Sequence, residues 1–490
     1  MAEIPQSRVR CINDAPVRDN RDFVLYWMIA NRRLGYNFSL ERALRWCREL
    51  NKPLVILEAL RCDYPWASDR LHRFILDGMA ENARRLTPAR IAYYPYVEPR
   101  AGAGKGLLQS LGRKAAVVVT DDYPAFFLPR AVAAAGRKLD TALEAVDSNG
   151  LLPQRLPEQL FKIAYSFRRY LQQELPRHLD ALPRRYPLRG IDLPAALLPA
   201  AVTRRWPRAT ADLLAGDPQR IGELPLDHSV PPAPQRGGYG AARATLERFL
   251  DEKLNRYAED QSHPDAAAAS NLSPYLHFGH IAAQEIFLGV AEREGWSPGR
   301  LASHSAGARS GWWGMSAGAE AFLDQLMTWR ELGFNMCVER DDYDEYRSLP
   351  DWARATLEEH ASDERPYRYT PRQFTQAETH DPLWNAAQRQ LLQEGRLHNY
   401  MRMLWGKKIL EWSADPRQAL EIMIELNNRY ALDGRDPNSY SGIFWILGRY
   451  DRPWGPERMV FGTVRYMSSR NTRRKLKLTK YLERFAPDGR

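Results

Sequence analysis

The sequence predicts an α/β domain followed by an all-helical one, and three observations carry that expectation. Short apolar runs alternate with amphipathic stretches over residues 1–150, prolines and arginines break both periodicities over 151–240, and helical spacing alone continues over 241–490. A chain of 490 residues also exceeds one ordinary core.

The apolar runs are Phe23 to Ile29, Leu54 to Leu60, Ile91 to Val97 and Ala115 to Thr120, with Leu143 to Asp147 as the last candidate strand. Such continuous runs suit strands covered on both faces. Amphipathic stretches at Leu40 to Leu50 and Asp69 to Leu86 separate them, so a Rossmann-like parallel sheet flanked by helices is expected. Residues 151–240 end in Pro231-Pro232-Ala233-Pro234 and Gly237-Gly238-Tyr239-Gly240 and read as an interdomain linker with a few helices. Helical patterns follow at Ala241 to Glu259, His280 to Glu294, Ala319 to Val338, Trp384 to Glu394, His398 to Trp412 and Pro416 to Tyr430.

Lys plus Arg exceed Asp plus Glu by 70 to 60, a net charge of +10, which favours a polyanionic partner through phosphate contacts. Cys11, Cys47, Cys62 and Cys337 form no CxxC pair, and a chain of this size does not need disulfides, so a reducing cytoplasm is expected. No run approaches the roughly 20 apolar residues of a membrane span, and no signal peptide is recognisable. A soluble monomer is the expectation.

Several patterns are bland. Gly314-Met315-Ser316-Ala317-Gly318 matches GxSxG, but no apolar strand precedes it. Gly102 to Gly106 lacks the spacing of a P-loop, and His277 and His280 have no Cys or carboxylate completing a ligand set, so no metal site is expected.

The informative segments lie in the helical half. Asn271-Leu272-Ser273-Pro274-Tyr275-Leu276-His277-Phe278-Gly279 sets small polar side chains ahead of a helix, where hydroxyls and free N–H groups can hold a phosphate, although alone it is an N-cap. In Tyr400-Met401-Arg402-Met403-Leu404-Trp405-Gly406-Lys407-Lys408-Ile409-Leu410-Glu411-Trp412, two tryptophans stand two turns apart on one face, which alone is core packing. Asp433-Gly434-Arg435-Asp436-Pro437-Asn438 reads as a turn. Together and in this order, these strings resemble the photolyase/cryptochrome family, nearest the class II cyclobutane pyrimidine dimer photolyases, and the resemblance runs from Val24-Leu25-Tyr26-Trp27-Met28 through Val460 to Met467.

That resemblance implies an antenna-type domain over 1–150, an FAD-binding catalytic domain over 241–490, and light-driven repair of dimers in UV-damaged DNA. A second, antenna chromophore of deazaflavin or folate type would be a further ligand. By the same likeness, Tyr257, Ser270, Asn271, Leu272 and Ser273 grip the FAD pyrophosphate. Arg402 and Asp433 form an ion pair beside the flavin ring, Asn427 faces its N5, and Arg435 and Asp436 sit at the same edge or pair with each other. Trp405, Trp384 and Trp412 match the tryptophan chain that conducts electrons from the surface. Glu331 matches the carboxylate contacting the dimer's bases, Met403 and Trp445 line the lesion pocket, and Asn399 stands where other photolyase classes touch the lesion. Between Arg465 and Lys480, Arg465, Arg470, Arg473, Arg474, Lys475 and Lys477 occur with no acidic residue and suit DNA phosphates. The alternative is a cryptochrome-like photoreceptor that keeps FAD and the tryptophans without repairing DNA.

Overall fold

The computed structural model describes residues 4–87 and 89–487. By contacts the chain divides into two compact units, Met1–Glu158 with Glu174–Glu247 and Leu272–Pro298, and Gln159–Gln173 with Arg248–Asn271 and Gly299–Arg490.

The first unit is built on a six-stranded sheet of order β1-β6-β5-β2-β3-β4, with β1 Val9–Cys11, β2 Phe23–Met28, β3 Leu54–Leu60, β4 Ala92–Val97, β5 Ala115–Asp121 and β6 Leu143–Val146. Strands β2 to β6 pair in parallel, as their unbroken apolar character predicts, while β1 adds antiparallel to the β6 edge. Along β2 the side chains alternate between two cores. Val24, Tyr26 and Met28 join Leu40 and Leu44 of the helix Phe38–Glu49, whereas Phe23 and Leu25 join Leu107, Leu111 and Ala135 on the other face.

Strand β2 lies between β3 and β5, the point where strand order reverses and where open α/β sheets usually receive an anionic ligand. Here a side chain takes that place. Asp121, at the end of β5, accepts from the backbone N–H groups of Ile29, Ala30 and Asn31 at 2.9, 2.8 and 2.9 Å through one oxygen, and from the Tyr26 hydroxyl at 2.8 Å through the other. The patterns set aside in the sequence have structural roles as well. Ser316 caps the helix Ala317–Leu323, and His280 is fully buried against Phe74, with Nδ1 accepting from Gly238 N–H and its pKa pressed down to about 3 by burial.

The second unit is helical among its described residues, and no described helix is long and apolar enough to cross a membrane. Replacing Asp121 by Ala is expected to leave three buried N–H groups unmet and to lower the unfolding free energy by roughly 3–5 kcal/mol, with Asp121→Asn costing less; urea denaturation measures both.

Candidate functional site

Three helices of the helical unit begin alike. Asp381-Pro382, Asp415-Pro416 and Asp436-Pro437 open the helices Pro382–Glu394, Pro416–Tyr430 and Pro437–Ile446; each Asp accepts from first-turn N–H groups, and each Pro stands where its missing N–H costs nothing. These caps fix the register in which the three helices and Asn399–Trp412 present their polar residues to one another.

Arg402 donates from Nη2 to both oxygens of Asp433, at 3.3 and 3.2 Å, with both side chains about nine-tenths buried. Beside them the loop 431–436 folds tightly onto the 416–430 helix. A Cβ on Gly434 would stand 2.8 Å from the Asn427 carbonyl oxygen and 2.9 Å from the Asn428 Cα, so only glycine allows this approach. Asn427 Nδ2 donates to Asn428 Oδ1 at 3.1 Å and to Ser439 Oγ at 2.9 Å. Its Oδ1 is buried without a hydrogen-bond partner, and so is Arg402 Nε. A buried acceptor and a buried donor left open in one cluster are what the polar edge of a bound ring would satisfy. Arg435 and Asp436, expected at that edge, have backbone duties: Arg435 N–H donates to Asn428 Oδ1 at 3.0 Å, and Asp436 caps the next helix.

Trp405 and Trp384 are fully buried and Trp412 is 3% exposed. Trp384 Nε1 donates to the Trp405 carbonyl oxygen at 2.9 Å, Trp405 Nε1 donates to Gln388 Oε1 at 2.9 Å, and the Trp384 and Trp412 rings stand 6.0 Å apart. Trp384 therefore touches both of the others. Beyond Trp412 the rings continue. His380 lies 5.1 Å and Tyr369 5.5 Å from it, and His380 stacks at 3.8 Å on the exposed Tyr367. These three were not anticipated, because ring contacts between separate helices and loops leave no sequence period.

Glu331 is 6% exposed on the helix Arg330–Glu339, directly after a π-helical stretch at Asp324–Trp329, a deviation often found at functional sites. A Cβ on Gly333 would stand 2.8 Å from the Pro437 carbonyl oxygen, so glycine lets this helix close on 437–446. That contact joins Trp329 to Trp445, which stack 4.9 Å apart at 22°. Met403 is half-buried; Asn399, one turn earlier on the same helix face, is exposed.

At the expected phosphate end, Tyr257 packs against Phe249 and Phe322, and burial raises its pKa well above the usual phenol value. Asn271 Oδ1 accepts from Arg396, while burial and the Arg396 charge lower the pKa of Lys253 and bring that of His398 down to about 4. Lys253, Arg396 and His398 were missed in the sequence, since 143 residues separate the first two and no spacing links them. Ser270 is half-buried in this unit; Leu272 is the N-cap and Ser273 the exposed first residue of the five-residue helix Ser273–His277 in the other.

Arg465, Arg470, Arg473, Arg474, Lys475 and Lys477 are all exposed, the middle four on the helix Ser469–Lys475, and none makes an ion pair among the described residues. The loop 451–466 adds a basic and aromatic surface not read from the sequence. Arg452 and Arg465 each lie 5.1 Å from the exposed Trp454 ring, and Arg458 lies 5.0 Å from Tyr466.

The architecture is the photolyase fold. The chain resembles the crystal structure of a bacterial class III photolyase from Agrobacterium tumefaciens with a TM-score of 0.66 and 18% identity, over 95% of this chain and 86% of that one. No family model matches it. It is 32% identical over 481 residues to the deoxyribodipyrimidine photo-lyase of Methanothermobacter thermautotrophicus, covering 98% of each chain. Against the enzymes of the same name from Oryza sativa and Potorous tridactylus it is 32% and 29% identical, covering 97% and 98% of this chain and 90% and 85% of theirs. The chain belongs to the deoxyribodipyrimidine photo-lyase family.

Lys407 gives this site a pH dependence. It is buried, donates from Nζ to the Ile446 carbonyl oxygen at the end of the Trp445 helix, and burial lowers its pKa from 10.5 to about 7. Below pH 7 both folded and unfolded chains carry the proton and the fold bears the full cost of burying it; as pH rises towards 10.5 the folded amine is already neutral and stability recovers. Lys407→Met is therefore expected to be the more stable protein at pH 7, with an advantage that shrinks by on the order of 2–3 kcal/mol by pH 9, read from paired urea titrations.

Proposed function

We propose that this chain repairs cyclobutane pyrimidine dimers in DNA, using blue light and bound reduced FAD to pass an electron to a lesion turned out of the duplex. The 32% identity to a deoxyribodipyrimidine photo-lyase across 98% of both chains carries the reading. The polar cluster fits the cofactor: Asn427 Oδ1 and Arg402 Nε are open and buried beside the Arg402–Asp433 pair, and Lys253, Arg396 and His398 supply cationic or polar groups for a pyrophosphate. When bound, reduced FAD supplies the photoexcited electron that opens the cyclobutane ring and takes it back, with no net redox change.

The protein's part is to position and to exclude water. Arg402 and Asp433 hold fixed opposite charges at the ring edge, so little reorganisation accompanies the movement of charge. The stacked Trp329 and Trp445 offer a flat apolar wall to two linked bases that have left the stack, and Glu331, buried on the neighbouring helix, supplies a carboxyl group for the exposed base edges. Met403 completes the apolar lining and Asn399 stands at its outer turn. Trp405, Trp384 and Trp412 provide the route by which an oxidised cofactor regains electrons from outside. The wording of the three motif strings favours class II. A cleft of about 1370 Å³ in the first unit, with Trp27 and Tyr96 in its lining and Arg100, Lys105, Lys138 and Arg208 around it, suits an anionic aromatic antenna chromophore.

Purified protein with chemically reduced flavin should restore intact thymines in a dimer-containing oligonucleotide under blue light and not in the dark; bound, photoreducible flavin without repair would instead indicate a photoreceptor. Trp405→Phe should block photoreduction while leaving repair by the chemically reduced enzyme largely intact, and equal loss of both would remove the conducting role. Arg473→Ala with Arg474→Ala should weaken binding to damaged and intact DNA alike and reduce the slope of log K against log salt by about 2, whereas Trp454→Ala should lower affinity with little change in slope.

A further inference from the structure

The direction of each hydrogen bond around Asn427 can be traced from one donor whose identity is beyond choice. A backbone N–H can only donate, and that of Arg435, held in the left-handed region at φ +66°, points at one side-chain atom of Asn428 from 3.0 Å. That atom is therefore the Asn428 oxygen. The opposite end of the same amide, Nδ2, donates to the Tyr440 hydroxyl at 3.0 Å. The Asn427 atom lying 3.1 Å from the Asn428 oxygen must in turn be its Nδ2, whose other hydrogen goes to Ser439 Oγ at 2.9 Å. Both amide hydrogens of Asn427 are thus engaged, and its one remaining polar atom is the buried, unpartnered Oδ1. A flipped Asn427 would set two oxygens against each other. Asn427 and Asn428 are 1% and 0% exposed and Ser439 is 3% exposed, so water does not readily compensate such a flip.

We propose that Arg435 N–H, Asn428 and Ser439 form a positioning relay that presents Asn427 to the cofactor only as a hydrogen-bond acceptor, so that the site favours the reduced flavin ring over the oxidised one. The proposal rests on the flavin reading above. An oxidised flavin offers a bare nitrogen at its central ring edge, which meets an acceptor oxygen unfavourably; the reduced ring carries N–H there and donates to it. Ser439 acts through Asn427 and touches no reacting atom. Its contribution is to occupy the second amide hydrogen, which Asn428 alone leaves free to turn.

The test is potentiometric titration of the flavin in purified holoprotein, with variants compared at equal flavin content. Ser439→Ala is expected to lower the preference for reduced over oxidised flavin about fivefold, the weight of one buried hydrogen bond, which moves the midpoint to more negative potential. Ser439→Thr keeps the hydroxyl and should stay within about twofold of the parent protein. Tyr440→Phe, which removes only the acceptor that orients Asn428, should move the midpoint in the same direction as Ser439→Ala and serves if that variant folds poorly. An unchanged midpoint in flavin-replete Ser439→Ala or Tyr440→Phe, or a Thr variant shifted as far as Ala, overturns the relay. Purified parent protein without flavin absorption overturns the flavin reading and the relay together, and the visible spectrum shows that before any titration begins.

Discussion

Between the helices 399–412, 416–430 and 437–446 the helical unit buries Asn427, Asn428, Asp433, Arg435 and Asp436, and meeting their hydrogen-bond needs constrains much of what surrounds them. Asp436 is spent on a helix N-terminus, Arg435 lends a backbone N–H from a left-handed turn, and Gly434 allows the loop to close without a side chain. Asp433 is left to face Arg402. Two open atoms persist, Asn427 Oδ1 and Arg402 Nε, and in the proposed reading the polar edge of the cofactor would meet them. A buried polar network with its last members unmet costs stability in the bare chain and returns it on binding, which makes cofactor and fold mutually stabilising.

The sheet of the first unit solves the opposite problem. Its switch point would ordinarily invite an anion, yet Asp121 supplies a carboxylate from within and satisfies three N–H groups at the end of β2. A ligand phosphate there would have to displace a fixed negative charge. A cleft of this unit is bordered instead by Trp27, Arg61, the 99–106 segment and residues after Arg205. A parallel sheet can thus retain its topology while the usual nucleotide position becomes a structural joint.

Much of the fold was legible because its strands are buried on both faces. Five of the six strands appear as apolar runs, and their ends match to within one residue; β1 escaped because three residues at an edge, two of them exposed, carry no pattern. The helix 437–446 was also missed, although Asp436-Pro437 is the same start signal as Asp415-Pro416, because Gly434 and Asn438 around it suggested a turn. In the site, the spacing of Trp405 and Trp412 was readable as one helix face, but Trp384 reaches them only by packing. The Trp329–Trp445 stack joins residues 116 apart through the glycine at 333, and neither a period nor a motif encodes that.

The basic surface contains two physical kinds of cation, and composition alone does not separate them. On the helix 469–475 the arginines stand in solvent without carboxylate partners among the described residues, so their attraction for a polyanion is long-ranged and weakens as salt rises. In the loop 451–466, Arg452 and Arg465 lie over Trp454 and Arg458 over Tyr466, within reach of a cation–π attraction. Rings and cations together offer flat apolar surface as well as charge, a surface suited to unpaired bases rather than to an intact duplex. For the repair activity proposed above the two kinds would divide the work: steering charge acts at a distance and does not distinguish damage, while stacking acts only where bases are already exposed.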